Sequence, residues 1–195
     1  MDFKNDKNIA RGLTAGYSFA MILTETVFKG LYIIDVRRFE DARGLFADTF
    51  HRGEFQKDGL TVDWDQCSVS FNKNKGILRG LHYQLPPNEQ TKLVRCSRGA
   101  TFDVVVDLRK NSKTYLQWFG TELTQDNYRA LYISPGFAHG FQTLADDTEI
   151  FYHIAGTYAP QCERGIRWND STFKIQWPLP SPILSEKDST LPDFK

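Results

Sequence analysis

Several things are scarce in this sequence, and each scarcity closes off a class of function. No sign of charge is in surplus: 24 Lys and Arg face 24 Asp and Glu, so the formal net charge is zero. That excludes the basic footprint of a nucleic-acid binder and a basic face for anionic lipid. A small anion remains admissible, because a local Arg and Lys cluster needs no global charge. Cysteine is rare and odd in number: Cys67, Cys96 and Cys162 are widely spaced. This argues against a disulfide framework and for a reducing, cytoplasmic setting. No apolar run approaches the roughly 18 residues of a membrane-spanning helix. Residues 13–23 are mildly apolar, but Gly16, Tyr17 and Ser18 interrupt them, so they do not read as an export signal. A glycine-rich dinucleotide fingerprint is absent as well.

Aromatics, by contrast, make up 14% of the chain, with 15 Phe and 8 Tyr, which favours β structure. A length of 195 residues suits one domain around one core. The expected organisation is a loosely ordered extension over residues 1–20 and a single domain over 21–195, opening at Met21. Within it, short alternating runs are divided by turn signals. Strands are expected at Leu31–Arg37, Leu45–Phe50, Val62–Phe71, Ile77–Gln84, Thr91–Ser97, Thr101–Leu108, Gln117–Leu123, Arg129–Ile133, Gly140–Thr143 and Glu149–Ile154. Asp41–Gly44 reads as a turn, Glu54–Gly59 as the best short helix, and Asn72–Gly76 as a polar hairpin loop. Residues 160–195 hold five of the eight prolines and read as an irregular wrap. Many evenly spaced strands with little helix imply a sandwich or barrel.

Two segments carry the chemistry. In Gly76-Ile77-Leu78-Arg79-Gly80-Leu81-His82-Tyr83-Gln84, strand alternation would put Arg79, Leu81 and Tyr83 on one face and Gly80, His82 and Gln84 on the other. A second histidine stands in Ser134-Pro135-Gly136-Phe137-Ala138-His139-Gly140. Two histidines brought in by strands, with Lys92 between them in sequence, point to one pocket.

These segments are specific enough to name a family. Together with Asp41-Ala42-Arg43-Gly44-Leu45-Phe46, Lys92-Leu93-Val94-Arg95, Phe102 to Arg109, Tyr158-Ala159-Pro160, Glu163 to Trp168 and Ile183 to Asp188, they resemble the dTDP-4-dehydrorhamnose 3,5-epimerases over roughly residues 22–193. The resemblance implies an all-β cupin fold, a double-stranded β-helix or jelly-roll barrel with a few short helices. It also implies a nucleotide-linked 4-keto-6-deoxyhexose as substrate and no cofactor.

The hydrogens on C3 and C5 of such a sugar are both α to the C4 ketone. Inversion needs a base, a stabiliser for the enolate oxygen, and an acid on the opposite face. By resemblance His82 is the base, Asp188 its carboxylate partner, Lys92 the enolate stabiliser on what is expected to be a neighbouring strand, and Tyr152 the proton donor. An imidazole titrates near neutrality, which suits the first role. Arg79 and Arg43 match contacts to phosphate and sugar, and guanidinium forks suit phosphate oxygens. His139, Glu163 and Lys187 match other ligand-contacting positions, and Phe46 and Tyr158 offer rings for stacking a pyrimidine. Asp48 stands where the family usually has Glu, and Gln66-Cys67-Ser68 begins a stretch that departs from the usual run. Gln66, Ser68 and Asp48 therefore bear on which nucleotide is bound, with CDP- or GDP-linked sugars as alternatives. The resemblance further implies a homodimer with an exchanged N-terminal strand, in which Arg43 and Asp48 serve the partner's pocket.

Many barrels of this fold bind a metal through a His-x-His pair, a Glu and a late His. Here His82-Tyr83-Gln84 has Gln at the second position. Two histidines make a poor site for a divalent ion, so no metal is expected. Three other readings stay open: inversion at only one carbon, a non-catalytic sugar-nucleotide-binding barrel, and a metal-dependent oxygenase. The pairing of His82 with Asp188 weighs against the second and Gln84 against the third.

Overall fold

A computed structural model describes residues 21–195; the extension expected over residues 1–20 lies outside the described residues. The chain forms thirteen strands and two short helices among the described residues. In chain order these are β1 (Ile22–Glu25), β2 (Leu31–Asp35), β3 (Phe39–Asp41), β4 (Gly44–Phe46), α1 (Arg52–Lys57), β5 (Gln66–Asn72), β6 (Leu78–Gln84), β7 (Thr91–Arg98) and β8 (Ala100–Asp107). There follow β9 (Trp118–Thr124), β10 (Ala130–Ile133), β11 (Phe137–Thr143), β12 (Thr148–Ala155), β13 (Glu163–Gly165) and α2 (Glu186–Ser189). Six strands form one sheet in the order β1-β2-β10-β7-β12-β5, and five form a second in the order β13-β6-β11-β8-β9. Every strand pair is antiparallel, as in a jelly roll. β3 and β4 form a separate hairpin around the expected turn at 41–44.

Three apolar layers follow from strand alternation. Between the sheets lie Leu31, Val94, Val105, Leu131, Phe137, Phe141 and Ile150. On the outer face of the six-stranded sheet, Ile34, Leu93 and Tyr132 pack beneath Phe55 of α1 and Val62. That packing explains why β5 begins at Gln66 rather than at Val62: residues 62–64 serve the helix layer. On the outer face of the five-stranded sheet, Leu81, Val104 and Val106 are covered by Ile166 and Phe173 of the C-terminal wrap. β8 is thus buried on both faces, so its Val-rich run reads as continuous rather than alternating.

Three sequence expectations are corrected by this topology. Asn72–Gly76 is not a hairpin loop, because β5 pairs with β12 whereas β6 pairs with β11 and β13; the segment crosses from one sheet to the other. Likewise, β7 with Lys92 is not a neighbour of β6 but belongs to the opposite sheet, so Lys92 approaches His82 across the barrel. The expected alternation along β6 also fails. Opposite β11, His139 pairs with His82 and Phe141 with Arg79, so three steps on β6 face two on β11. This bulge shifts the phase and turns Arg79 and His82 toward the same cavity, while Leu81 packs outward.

The bulge depends on two glycines. Gly80 has φ +125°, and a Cβ there would lie 2.6 Å from Gly140 Cα. A Cβ on Gly140 would lie 2.7 Å from the Arg79 carbonyl oxygen. Gly80→Ala therefore combines a disfavoured φ with a backbone clash. It should lower the melting temperature by roughly 5–15 °C, read by calorimetry or circular dichroism. A variant melting within a degree of wild type would mean that the strands can separate at no cost.

Candidate active site

The inward rows of the strands change from apolar to polar along the barrel. β12 presents Ile150 to the core and then Tyr152 and Ile154 to a cavity of about 480 Å³ between the sheets. His82 and Arg79 enter this cavity from β6, His139 from β11, Lys92 from β7, and Gln66 and Ser68 from β5. The two histidines and Lys92 thus share one pocket, as the sequence pattern implies.

His82 stands at the open side, with its side chain 30% exposed. Its Nε2 lies 2.6 Å from Oδ1 of Asp188, whose side chain is 5% exposed. When Nε2–H donates to the carboxylate, the lone pair is left on Nδ1. Burial alone would raise the Asp188 carboxyl. Its hydrogen bond and charge interaction with His82, with help from Ser185, instead hold it below the ordinary carboxylate value. Asp188 stays ionised and keeps the imidazole oriented.

Deeper in the barrel is a second His–Asp pair. His139 Nε2 lies 2.9 Å and 3.0 Å from the two carboxylate oxygens of Asp103, on the adjacent β8, and neither side chain sees bulk solvent. The His139 ring meets Tyr152 edge-on, with centroids 6.4 Å apart. Burial pushes the Tyr152 phenol far above its ordinary value, the Asp103 charge adds to this, and Arg79 opposes it. Tyr152 therefore keeps its phenol proton at physiological pH. Burial pulls Lys92 down, while the charges of Asp103 and Glu163 pull it back up. On balance burial prevails, so Lys92 sits below its ordinary value in a site that disfavours cations.

Arg79 is aimed by Asn72, whose Oδ1 accepts from Nε at 2.8 Å. At the rim, Lys187 Nζ bonds Glu163 Oε1 at 2.7 Å and the Tyr158 hydroxyl donates to Glu163 Oε2 at 3.0 Å. Glu163 and Lys187 thus pair with one another, so their assignment as ligand contacts has to compete with this bond. Gln84 is engaged with backbone. Its amide nitrogen donates to the carbonyls of Asn88 and Thr157, and its oxygen accepts from Ala159 N at 2.7 Å. It therefore clamps the loop that carries Tyr158.

Three expected contacts are not brought to this pocket within one chain. Arg43 is 90% exposed and forked onto Asp41. Phe46 is 63% exposed and lines a different groove, with Arg95 and Tyr128. Asp48 follows on the same segment. Sequence reasoning, for its part, missed Asp103 and Asn72. Asp103 had a signal, a lone carboxylate inside the most apolar strand run. Asn72 had none, because its contact depends on a sheet crossing.

Comparison with known proteins identifies the family. The family model for dTDP-4-dehydrorhamnose 3,5-epimerase matches residues 25–195. A dTDP-4-dehydrorhamnose 3,5-epimerase from Sinorhizobium fredii is 44% identical over 178 residues, covering 88% of this chain and 91% of that protein. The structure of a Bacillus anthracis dTDP-4-dehydrorhamnose 3,5-epimerase with TDP and PPi bound superposes with a TM-score of 0.87 at 42% identity, over 90% of this chain and all of that one. A Legionella pneumophila 3,5-epimerase in complex with dTDP-4-keto-L-rhamnose gives 0.83 at 36% identity, covering 89% and 93%.

The buried charges make a direct prediction. Asp103→Asn removes a negative charge that supports the Lys92 cation, so Lys92 should titrate at a still lower pH, followed by NMR of its side-chain carbons. A Lys92 titration that does not move would show that the Asp103 charge does not reach it.

Proposed function

This chain belongs to the dTDP-4-dehydrorhamnose 3,5-epimerase family, and we propose that its pocket inverts C3 and C5 of dTDP-4-dehydro-6-deoxy-D-glucose through an enolate. The observation that carries the reading is the placement of His82 and Tyr152 on opposite sheets facing one cavity. A carbon between a base on one wall and an acid on the other loses its proton to one side and regains one from the other.

His82, oriented by Asp188, takes the proton α to the ketone. The electron pair moves onto the C4 oxygen, where Lys92 meets the developing charge. A cation already fixed in a dry site stabilises that oxyanion without reorganisation, an effect of several kcal/mol in comparable sites. Tyr152 then delivers a proton to the opposite face and the ketone is restored; His82 gives up its proton to water and Tyr152 regains one from it, which returns both groups to their starting states. No electron is gained or lost, so no redox cofactor enters. Arg79, held by Asn72, faces the diphosphate, with Gln66 and Ser68 on the same side of the pocket. Three unpaired cysteines support a cytoplasmic setting for the reaction.

The active form is a homodimer that exchanges its N-terminal segment, with Arg43, Phe46 and Asp48 completing the partner's pocket. Supporting this, β3 and β4 pair with each other and with neither sheet, and the edge strand β5 exposes Val69 at 56% and Phe71 at 45%. An apolar edge strand of this kind is ordinarily covered.

Incubation with dTDP-4-dehydro-6-deoxy-D-glucose in deuterated water should place label at both C3 and C5 by NMR; label at one carbon would identify a single-site epimerase. His82→Asn should abolish exchange while leaving TDP binding within about threefold. Tyr152→Phe should keep part of the exchange and lose inversion at C5. Equal losses of exchange and inversion would remove Tyr152 from the acid role.

Light scattering should give twice the 22.5 kDa chain mass. Phe71→Asp should shift the mass toward one chain and lower turnover with it. A fully active monomer would end the exchange proposal.

A further inference from the structure

His82 and Asp188 are 106 residues apart in sequence, yet their contact is the shortest side-chain pairing in the pocket. His82 is held by a barrel strand. Asp188 rides on α2, four residues long, and a helix of one turn has no stability of its own. Its position must come from what ties it down.

Upstream, the wrap is fixed to the same strand that carries His82. Leu78 N donates to Ile183 O at 3.0 Å, and Ile183 N donates to Gly76 O at 2.8 Å. Downstream, Arg167 N donates to Pro192 O at 2.9 Å. Between these anchors the Ser189 and Thr190 hydroxyls bond back to the Glu186 and Lys187 carbonyls, and Ser185 is the side chain that meets the Asp188 amide. Ser185, extended at φ −72° and ψ 161°, accepts the Asp188 backbone N–H on its Oγ at 3.1 Å. Its carbonyl accepts Ser189 N at 3.0 Å. The residue whose carboxylate meets His82 is therefore gripped through its own amide.

We infer that Ser185 is a positioning residue for the His82–Asp188 pair, its hydroxyl holding the Asp188 backbone so that the carboxylate stays in line with Nε2. This rests on the reading of His82 as the base. Without the hydroxyl, the Asp188 amide loses its partner and the turn frays. The carboxylate can then leave its nearly closed site for water, and the imidazole is no longer confined to one tautomer and one orientation.

The test compares Ser185→Ala with Ser185→Thr, which keeps a capping oxygen. Ser185→Ala should lower kcat about 10- to 100-fold with KM changed by less than about threefold, since displacement of a catalytic group costs rate rather than ground-state binding. Ser185→Thr should restore most of the rate. The substrate-free protein gives an independent reading: the downfield His82 Nε2–H proton signal of an imidazole bonded to a carboxylate should be lost in Ser185→Ala and kept in Ser185→Thr. In an Asp188→Asn background, Ser185→Ala should add no further loss of rate. Wild-type rate in Ser185→Ala, an intact Nε2–H signal beside a lost rate, or an equal loss in the Asp188→Asn background would each overturn the assignment. Wild-type protein that showed the signal but exchanged no substrate hydrogen would instead count against the epimerase reading.

Discussion

The pocket depends on how closely β6 and β11 approach at Gly80 and Gly140. Two backbones meet there with no room for a Cβ on either side. That contact lets three residues of β6 span two of β11 and so reverses the facing of everything upstream of the bulge. With the regular period of two, an arginine three positions from His82 would point to the outer face, into the layer occupied by Leu81 and Ile166. With the bulge, a guanidinium and an imidazole enter one cavity from one strand. Backbone geometry at two glycines thereby decides which side chains share the site, before any catalytic group is considered.

Within that cavity, the polar groups are arranged so that no charge is buried alone. Lys92 would prefer to lose its proton in a dry site, and Asp103 and Glu163 oppose that loss. Asp103 in turn is satisfied by both contacts to His139. Tyr152, facing the same carboxylate, is kept protonated. One buried carboxylate therefore has three effects: it orients His139, opposes the loss of the Lys92 proton and raises the Tyr152 phenol. An unpaired charge at this depth would cost several kcal/mol.

Local patterns in the sequence revealed local features. The turn at Asp41–Gly44, the strand around Val104–Val106 and the convergence of His82, Lys92 and His139 were legible, because period-two alternation and turn chemistry are read over a few residues. Sheet membership was not. Asn72–Gly76 has the composition of a hairpin loop, and nothing within it records that its two strands pair with β12 and β11 instead. For the same reason Lys92 was expected beside His82 rather than opposite it. Asn72 and Ser185 escaped notice because a small polar residue acquires its role only from a partner seven residues away across a sheet crossing, or from an amide one turn along. Asp188 could be named only through the family resemblance, since a carboxylate near a C-terminus is by itself an ordinary surface charge.

Gln84 shows how the same barrel positions support acid–base chemistry. It occupies the place where a second imidazole would complete a metal-binding pair on β6. A neutral amide is a weak ligand, and this one has its nitrogen and oxygen engaged with Asn88, Thr157 and Ala159. Those bonds hold the loop bearing Tyr158, which reaches Glu163 and through it Lys187, next to Asp188. A residue at a potential ligand position has thus become the support for the pocket rim. The carboxylate that orients the nearby His82 comes from the C-terminal wrap rather than from the barrel. Because the wrap is anchored to the start of β6, His82 and Asp188 are referred to one strand, and their contact is 2.6 Å.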